Sequence, residues 1–159
     1  MQVKQLFEQA IQFRNEKKYA QARDILIGLT NFTQNPEVLY ECACIHDVMG
    51  LETEAVPFYE KAIVNGLKGE SLCGAYIGLG STYRCIGQYN KAIVTLEAGI
   101  KQFPDNDTMK VFLSIAKYNI KEYEEAMKLL LETVVKLEGV KEYERAILFY
   151  KDHLNEIFK

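Results

Sequence analysis

Apolar residues recur along this chain at steps of three and four. Ile25, Leu26, Leu29 and Phe32 form one stripe; Phe58, Tyr59, Ala62 and Ile63 form a second. Ile93, Leu96 and Ile100 form a third, and Met127, Leu130, Leu131, Val134 and Val135 a fourth. That spacing is the period of a helix with one buried face, and no stretch sustains the every-second-residue alternation of a strand. Proline and glycine fall between the stripes, at Pro36, Gly50, Gly66, Gly69, Gly87, Pro104 and Gly139, where they punctuate the helices. The pattern predicts an all-α chain, with helices over 2–15, 19–33, 36–49, 52–65, 71–86, 89–102, 107–120, 123–137 and 141–157. Pro57 falls in the opening turns of its helix, where the cost of a missing amide is smaller than mid-helix, and predicts a slight bend.

A longer period overlies the first. Tyr19-Ala20-Gln21-Ala22 is echoed by Glu52-Thr53-Glu54-Ala55, Tyr89-Asn90-Lys91-Ala92 and Tyr123-Glu124-Glu125-Ala126, and the closing alanines lie 33, 37 and 34 residues apart. A fixed period of that size marks stacked helical hairpins. No single hairpin can bury its apolar face, so stability comes from stacking on a neighbour. Small residues at Ala10, Ala43, Gly80 and Ser114 let the two helices of a hairpin approach, and Ala22, Ala55, Ala92 and Ala126 do the same against the next repeat. The longer interval is expected to be absorbed by a loop, Asn65-Gly66-Leu67-Lys68-Gly69-Glu70. The last helix reads as a cap, with Tyr143, Ala146, Ile147, Tyr150, Leu154 and Ile157 on one stripe and Lys141, Glu144, Arg145, Lys151, Asp152 and Glu156 around it. Its acidic and basic residues are balanced, which argues against a basic helix lying on a membrane.

The third unit carries a family pattern: Tyr76, Leu79, Gly80, Tyr83, Gly87, Tyr89, Ala92, Leu96, Gly99 and Pro104 at fixed offsets. It closely resembles the tetratricopeptide repeat. The first unit matches at Leu6, Ala10, Phe13, Tyr19, Ala22, Leu26 and Leu29, and the second at Leu39, Ala43, Gly50, Ala55, Tyr59 and Ala62, with His46 and Glu52 replacing aromatics. In the fourth, Tyr123, Ala126 and Leu130 fit, while Lys110 and Lys117 occupy slots that are usually apolar. Small free-standing bacterial proteins of this family look similar to the chain. The resemblance implies one domain over 1–159, a right-handed α-solenoid of about four helix-turn-helix hairpins (about 3–35, 36–69, 73–106 and 107–139) with a capping helix at 141–157.

Composition narrows the classes. The 159 residues are 48% apolar and 26% charged, an ordinary globular balance. The net charge is −3 and Lys alternates with Glu, which argues against nucleic acid as a partner. No apolar stretch reaches the roughly 18 residues that span a membrane, and the N-terminus lacks the apolar core of a signal peptide. Four cysteines at irregular spacing inside helices read as reduced thiols in a cytoplasm rather than a disulfide framework.

Little in the chain suggests catalysis. In Cys42-x-Cys44-x-His46, the first and last share a helix face but Cys44 points elsewhere, so a structural role is expected and no metal site. Cys73 and Cys85 are 12 residues apart on one helix and cannot bridge each other. Gly74-x-x-x-Gly78-x-Gly80 falls inside a helix and reads as close packing rather than a phosphate cradle. His46 and His153 are the only histidines, and no nucleophile triad, phosphate loop or HExxH is present. The chain is expected to be no enzyme and to need no cofactor; a thiol-dependent enzyme or redox sensor through Cys44 or Cys85 is the remote alternative.

The resemblance implies that the first helix of each hairpin lines a concave surface where partners lie. It assigns to that surface Lys4, Phe7, Ile11 and Arg14; Glu37, Tyr40, Cys44 and Asp47; Ile77, Ser81 and Arg84; and Val111, Ile115 and Tyr118. The set lacks the Lys/Asn carboxylate clamp of chaperone-docking members, with Phe7 and Ile11 standing where the first Lys and Asn would be. Half of it is apolar or aromatic, which suits a hydrophobic peptide or the apolar face of a partner helix. The expected function is a protein-protein interaction module; a self-associating homodimer is the alternative.

Overall fold

A computed structural model describes residues 2–155, and the described residues are helical without strands. The helices are α1 (Gln2–Asn15), α2 (Tyr19–Thr30), α3 (Pro36–Val48), α4 (Glu52–Val64), α5 (Gly69–Cys85), α6 (Tyr89–Gln102), α7 (Asp107–Asn119), α8 (Tyr123–Val134) and α9 (Glu144–Lys151). A 3₁₀ segment, Glu138–Tyr143, leads into α9. They fall into two compact units that divide after Gly87, inside the third repeat: α1 to α5 in the first and α6 to α9 in the second.

The turns inside the repeats share one geometry. Lys17, Gly50, Gly87 and Lys121, each two residues past the end of a first helix, all adopt positive φ, at 59°, 72°, 77° and 69°. In the first, second and fourth turns the next amide closes back on the helix, from Lys18 to the Phe13 carbonyl (2.8 Å), Leu51 to His46 (2.9 Å) and Glu122 to Lys117 (3.0 Å). This left-handed cap satisfies carbonyls that the helix end orphans. Glycine takes it at no steric cost; the two lysines do not. The entries to α3 and α7 are capped by side chains: Asn35 accepts from the Glu37 amide at 2.9 Å, with Pro36 in the first turn, and Asn106 accepts from the Met109 amide at 2.8 Å.

The longer interval is not held by a loop alone. Gly69 and Glu70 belong to α5, which has 17 residues where α3 has 13. The four extra residues form one added helical turn, leaving Asn65–Lys68 as the connection. An added turn satisfies its own amides by i to i−4 bonds, which a longer loop would leave to solvent.

In the first unit the core joins α1, α2 and α3 through Ala10, Ala22, Leu26, Leu29, Val38, Cys42 and Ile45, with Leu6, Phe7, Phe13 and Phe58 packed around it. The alanines are fully buried, so their lack of bulk sets the helix spacing, while each buried leucine contributes about 1.5–3 kcal/mol. The second unit repeats the arrangement with Ala92, Leu96, Met109, Leu113, Ala116 and Ala126. Lys110 and Lys117, at the usually apolar slots, bury their stems and bring their ammonium groups to Asp107 (3.3 Å) and Glu122 (2.7 Å). Gly28 sits inside α2 with nothing within 4 Å of where a Cβ would stand. Gly28→Ala is expected to stabilise the protein by about 0.5–1 kcal/mol, read as a raised urea midpoint at unchanged slope.

The last helix departs from expectation. α9 has eight residues, and none of them is buried. Of the expected stripe, Tyr143, Ala146, Tyr150 and Leu154 are exposed and Ile147 is half-buried; Glu156 and Ile157 lie outside the described residues. Ile147, Leu148, Phe149 and Tyr150 are consecutive, so apolar groups spread around the helix instead of forming one face. Polar contacts to α8 accompany its placement: Lys151 with Glu132 (2.8 Å) and Lys128 with Asp152 (3.9 Å).

Candidate functional site

In the first unit the expected concave residues are largely engaged by other side chains of that unit. Lys4 is exposed and meets Glu8 at 3.9 Å. Phe7 packs on the core and Ile11 is half-buried. Arg14 forms an ion pair across to Glu41 of α3. Ser71 of α5 donates to Glu37 at 2.8 Å. Tyr40, Cys44 and Asp47 converge on Tyr59 of α4. The Tyr59 hydroxyl donates to Asp47 at 2.7 Å and lies 3.7 Å from the Cys44 sulfur, and the Tyr40 and Tyr59 rings are 6.2 Å apart. Thr82 of α5 donates to the other Asp47 oxygen at 2.8 Å. One carboxylate thereby ties α3 to α4 and α5.

Burial sets the electrostatics of this cluster. It pushes the Cys44 thiol up to about 11, against hydrogen bonds from Tyr59 and Tyr40. It also raises Asp47 above the usual aspartate value, opposed by the Tyr59 and Thr82 hydroxyls. Both tyrosines titrate above their ordinary value, chiefly through desolvation. A thiol held protonated is a poor nucleophile. Cys42 is pushed up to about 12 by burial alone, and His46 stacks on Phe58 at 5.2 Å with Nδ1 donating to the Cys42 carbonyl at 2.6 Å. These are packed groups. Among the described residues no three His, Cys, Asp or Glu side chains are grouped to hold a metal ion.

Ile77 and Ser81 are half-buried on α5. Arg84 buries its Nε without a hydrogen-bond partner. The glycines of α5 make room for the tyrosines. A Cβ on Gly74 would collide with the Tyr40 hydroxyl, and one on Gly78 would lie 2.5 Å from Tyr59 Cζ.

The second unit presents a different surface. Val111 is half-buried, while Ile115 and Tyr118 are 39% and 61% exposed. Ser114, Ile115 and Tyr118 form one wall of an open apolar recess of about 270 Å³, whose other wall is Tyr123, Ala126, Met127 and Leu130 of α8. The Tyr118 and Tyr123 rings meet at 5.0 Å. A wider recess of about 640 Å³ continues past Tyr123 and Met127 to Lys121, Glu124, Glu125, Leu154 and Asn155. Sequence reasoning reached one wall only. Met127 and Leu130 read there as core of their helix, because a periodic stripe does not say whether a neighbour covers it.

The family profile described as tetratrico peptide repeat matches residues 36–154. No curated protein matches the sequence. Among solved structures, residues 41 to the end of MamA from Desulfovibrio magneticus RS-1 are similar at 18% identity and a TM-score of 0.76, covering 96% of this chain and 84% of that one. YrrB, described as a tetratricopeptide protein with an unusual peptide-binding site, is similar at 13% identity and a TM-score of 0.73, covering 91% of this chain and 71% of that one. A tetratricopeptide repeat protein from Parabacteroides merdae gives 16% identity and a TM-score of 0.73, covering 96% and 60%. At these identities the likeness concerns the solenoid fold.

Proposed function

The chain belongs to the tetratricopeptide repeat family, and from that premise we propose that it is a non-catalytic interaction module that receives an apolar peptide or helix in the recess between α7 and α8. The family is generally a non-enzymatic interaction fold. The observation that carries the reading is the exposed wall of Ile115, Tyr118, Tyr123 and Met127 beside buried Ala126. Large apolar side chains grouped on one open surface cost solvation until a partner covers them. The first-unit residues, by contrast, are engaged by Glu41, Ser71, Tyr59 and Thr82, so Arg14, Glu37, Tyr40, Cys44 and Asp47 act chiefly as the frame of their unit. YrrB, a structural neighbour described by its peptide-binding site, supports a peptide as the class of partner. The free thiols of Cys42, Cys44 and Cys85 support a reducing, cytoplasmic setting. Among the described residues no helix is long and apolar enough to cross a membrane.

Ile115→Glu and Met127→Glu each place a charge in the recess at a position that is already exposed. Each is expected to weaken partner capture by about 100-fold while the thermal midpoint stays within about 3 °C of wild type. The check is affinity capture from the source cell, wild type beside variants, read by quantitative mass spectrometry. An unchanged set of captured proteins would remove the recess as the site.

A further inference from the structure

The repeat register identifies what the recess is shaped to hold. Its lining residues Ser114, Ile115, Tyr118, Tyr123, Ala126, Met127 and Leu130 each stand 104 residues after Ala10, Ile11, Arg14, Tyr19, Ala22, Arg23 and Leu26. In the first unit Ala10, Ala22 and Leu26 are covered by the next first-helix, α3, through Val38, Cys42 and Ile45. The same 104-residue step carries those three covering positions to Glu142 near the end of the 3₁₀ segment and to Ala146 and Phe149 of α9. The chain therefore holds both a seat and the ridge in register to fill it. The seat stands open. On the ridge, Ala146 is exposed and Phe149 is 48% exposed, its ring edge-on to Tyr150 and stacked on His153.

We infer that the α7–α8 recess is filled by the α9 ridge of a second copy of this chain. This rests on the reading above and names the partner. Within one copy, Lys151–Glu132 and Lys128–Asp152 hold α9 against α8, with Ala146 exposed and about half of Phe149 still reached by solvent. The seat and the ridge are thus presented at once, and two copies satisfy each other by exchange around a two-fold axis, the common closure for an isologous pair. Charge follows the same register. Glu41 of α3 pairs with Arg14; the matching positions on ridge and seat are Arg145 and Tyr118. A guanidinium over the paired Tyr118 and Tyr123 rings replaces the ion pair by a cation–π contact.

The test is sedimentation equilibrium of the purified full chain up to about 0.5 mM, followed by mixing. Wild type is expected to dimerise. Met127→Glu, in the seat, and Phe149→Glu, on the ridge, are each expected to sediment as monomers. An equimolar mixture of the two is expected to restore a dimer, because one intact seat then meets one intact ridge. Ile115→Glu and Ala146→Arg repeat the two arms at other exposed positions, and unchanged helical circular dichroism confirms that each variant is folded. A monomeric wild type overturns the inference, as does a dimer that survives both substitutions, or a mixture of monomeric variants that stays monomeric. The interaction-module reading has a separate outcome. A monomeric wild type that still captures another protein, and loses it with Ile115→Glu, ends the self-pairing alone.

Discussion

Gly78→Ala is expected to destabilise the protein by about 3 kcal/mol, a large effect for the addition of one methyl group. The new Cβ would stand 2.5 Å from Tyr59 Cζ and 2.9 Å from Cε1. These are ring atoms of a side chain only 3% exposed, with its hydroxyl committed to Asp47. Moving the ring out of the way breaks that hydrogen bond and separates α4 from α5, so the loss exceeds the helix-propensity gain of about 1 kcal/mol that alanine brings over glycine. Gly74→Ala tests the same idea at a softer position. There the obstruction is the hydroxyl end of Tyr40, with Cζ at 3.1 Å, and Tyr40 is only half-buried and can swing aside. Urea melts should rank the three variants Gly28→Ala above wild type, Gly74→Ala below it and Gly78→Ala lowest. Equal behaviour of Gly74→Ala and Gly78→Ala would show that the buried Tyr59 ring does not resist displacement.

Asp47→Ala is expected to cost about 2–4 kcal/mol, because it strands two buried hydroxyls at once. Tyr59 and Thr82 are 3% and 2% exposed and donate to different oxygens of the same carboxylate. Tyr59→Phe removes one donor and is expected to cost less, since its removal leaves Asp47 an acceptor with one bond kept. Acidity adds a second readout. Burial raises Asp47 above the ordinary aspartate value in the folded protein, so the unfolded chain loses this proton at lower pH than the folded one. The stability tied to the protonated group is fully present below about pH 4 and is lost as pH rises through the folded value. Comparing wild type with Asp47→Asn isolates this group from Asp107, whose carboxyl is lowered mainly by Lys136 and which acts in the opposite direction. The stability of wild type relative to Asp47→Asn is expected to fall over the interval above about pH 4. A difference that stays flat over that interval would mean that Asp47 ionises alike in the folded and unfolded chains.

The helices and their order were legible because helix period and repeat period act together. Ala22, Ala55, Ala92 and Ala126 mark the same place in each repeat, and the starts of α1 through α4 and α6 through α8 follow from them to the residue. Helix ends were less legible: α2 and α8 each stop three residues early, since the final turn of a helix depends on what covers its carbonyls. Lys17 and Lys121 gave no warning that they would take the left-handed turn which glycine takes at 50 and 87. The register of the hairpin imposes that conformation whatever the side chain. For the residues that the resemblance assigns to a concave surface, exposure was not legible. Whether Asp47 meets solvent or Tyr59 and Thr82 depends on residues 12 and 35 positions away, and no local pattern carries that.

By itself, the sequence determined the all-helical class, the repeat, the small-residue contacts and the packing role of Gly74 and Gly78, because each is a matter of spacing along a helix. The tertiary structure alone decided three things. It put the four-residue excess into a longer α5, since a helical turn satisfies its own amides. It turned the first-unit polar residues inward on one another, since buried hydroxyls and carboxylates must find partners. It left the α7–α8 seat open beside α9, since burial is a property of neighbours in space, and a stripe of apolar residues reads the same whether it is covered or bare.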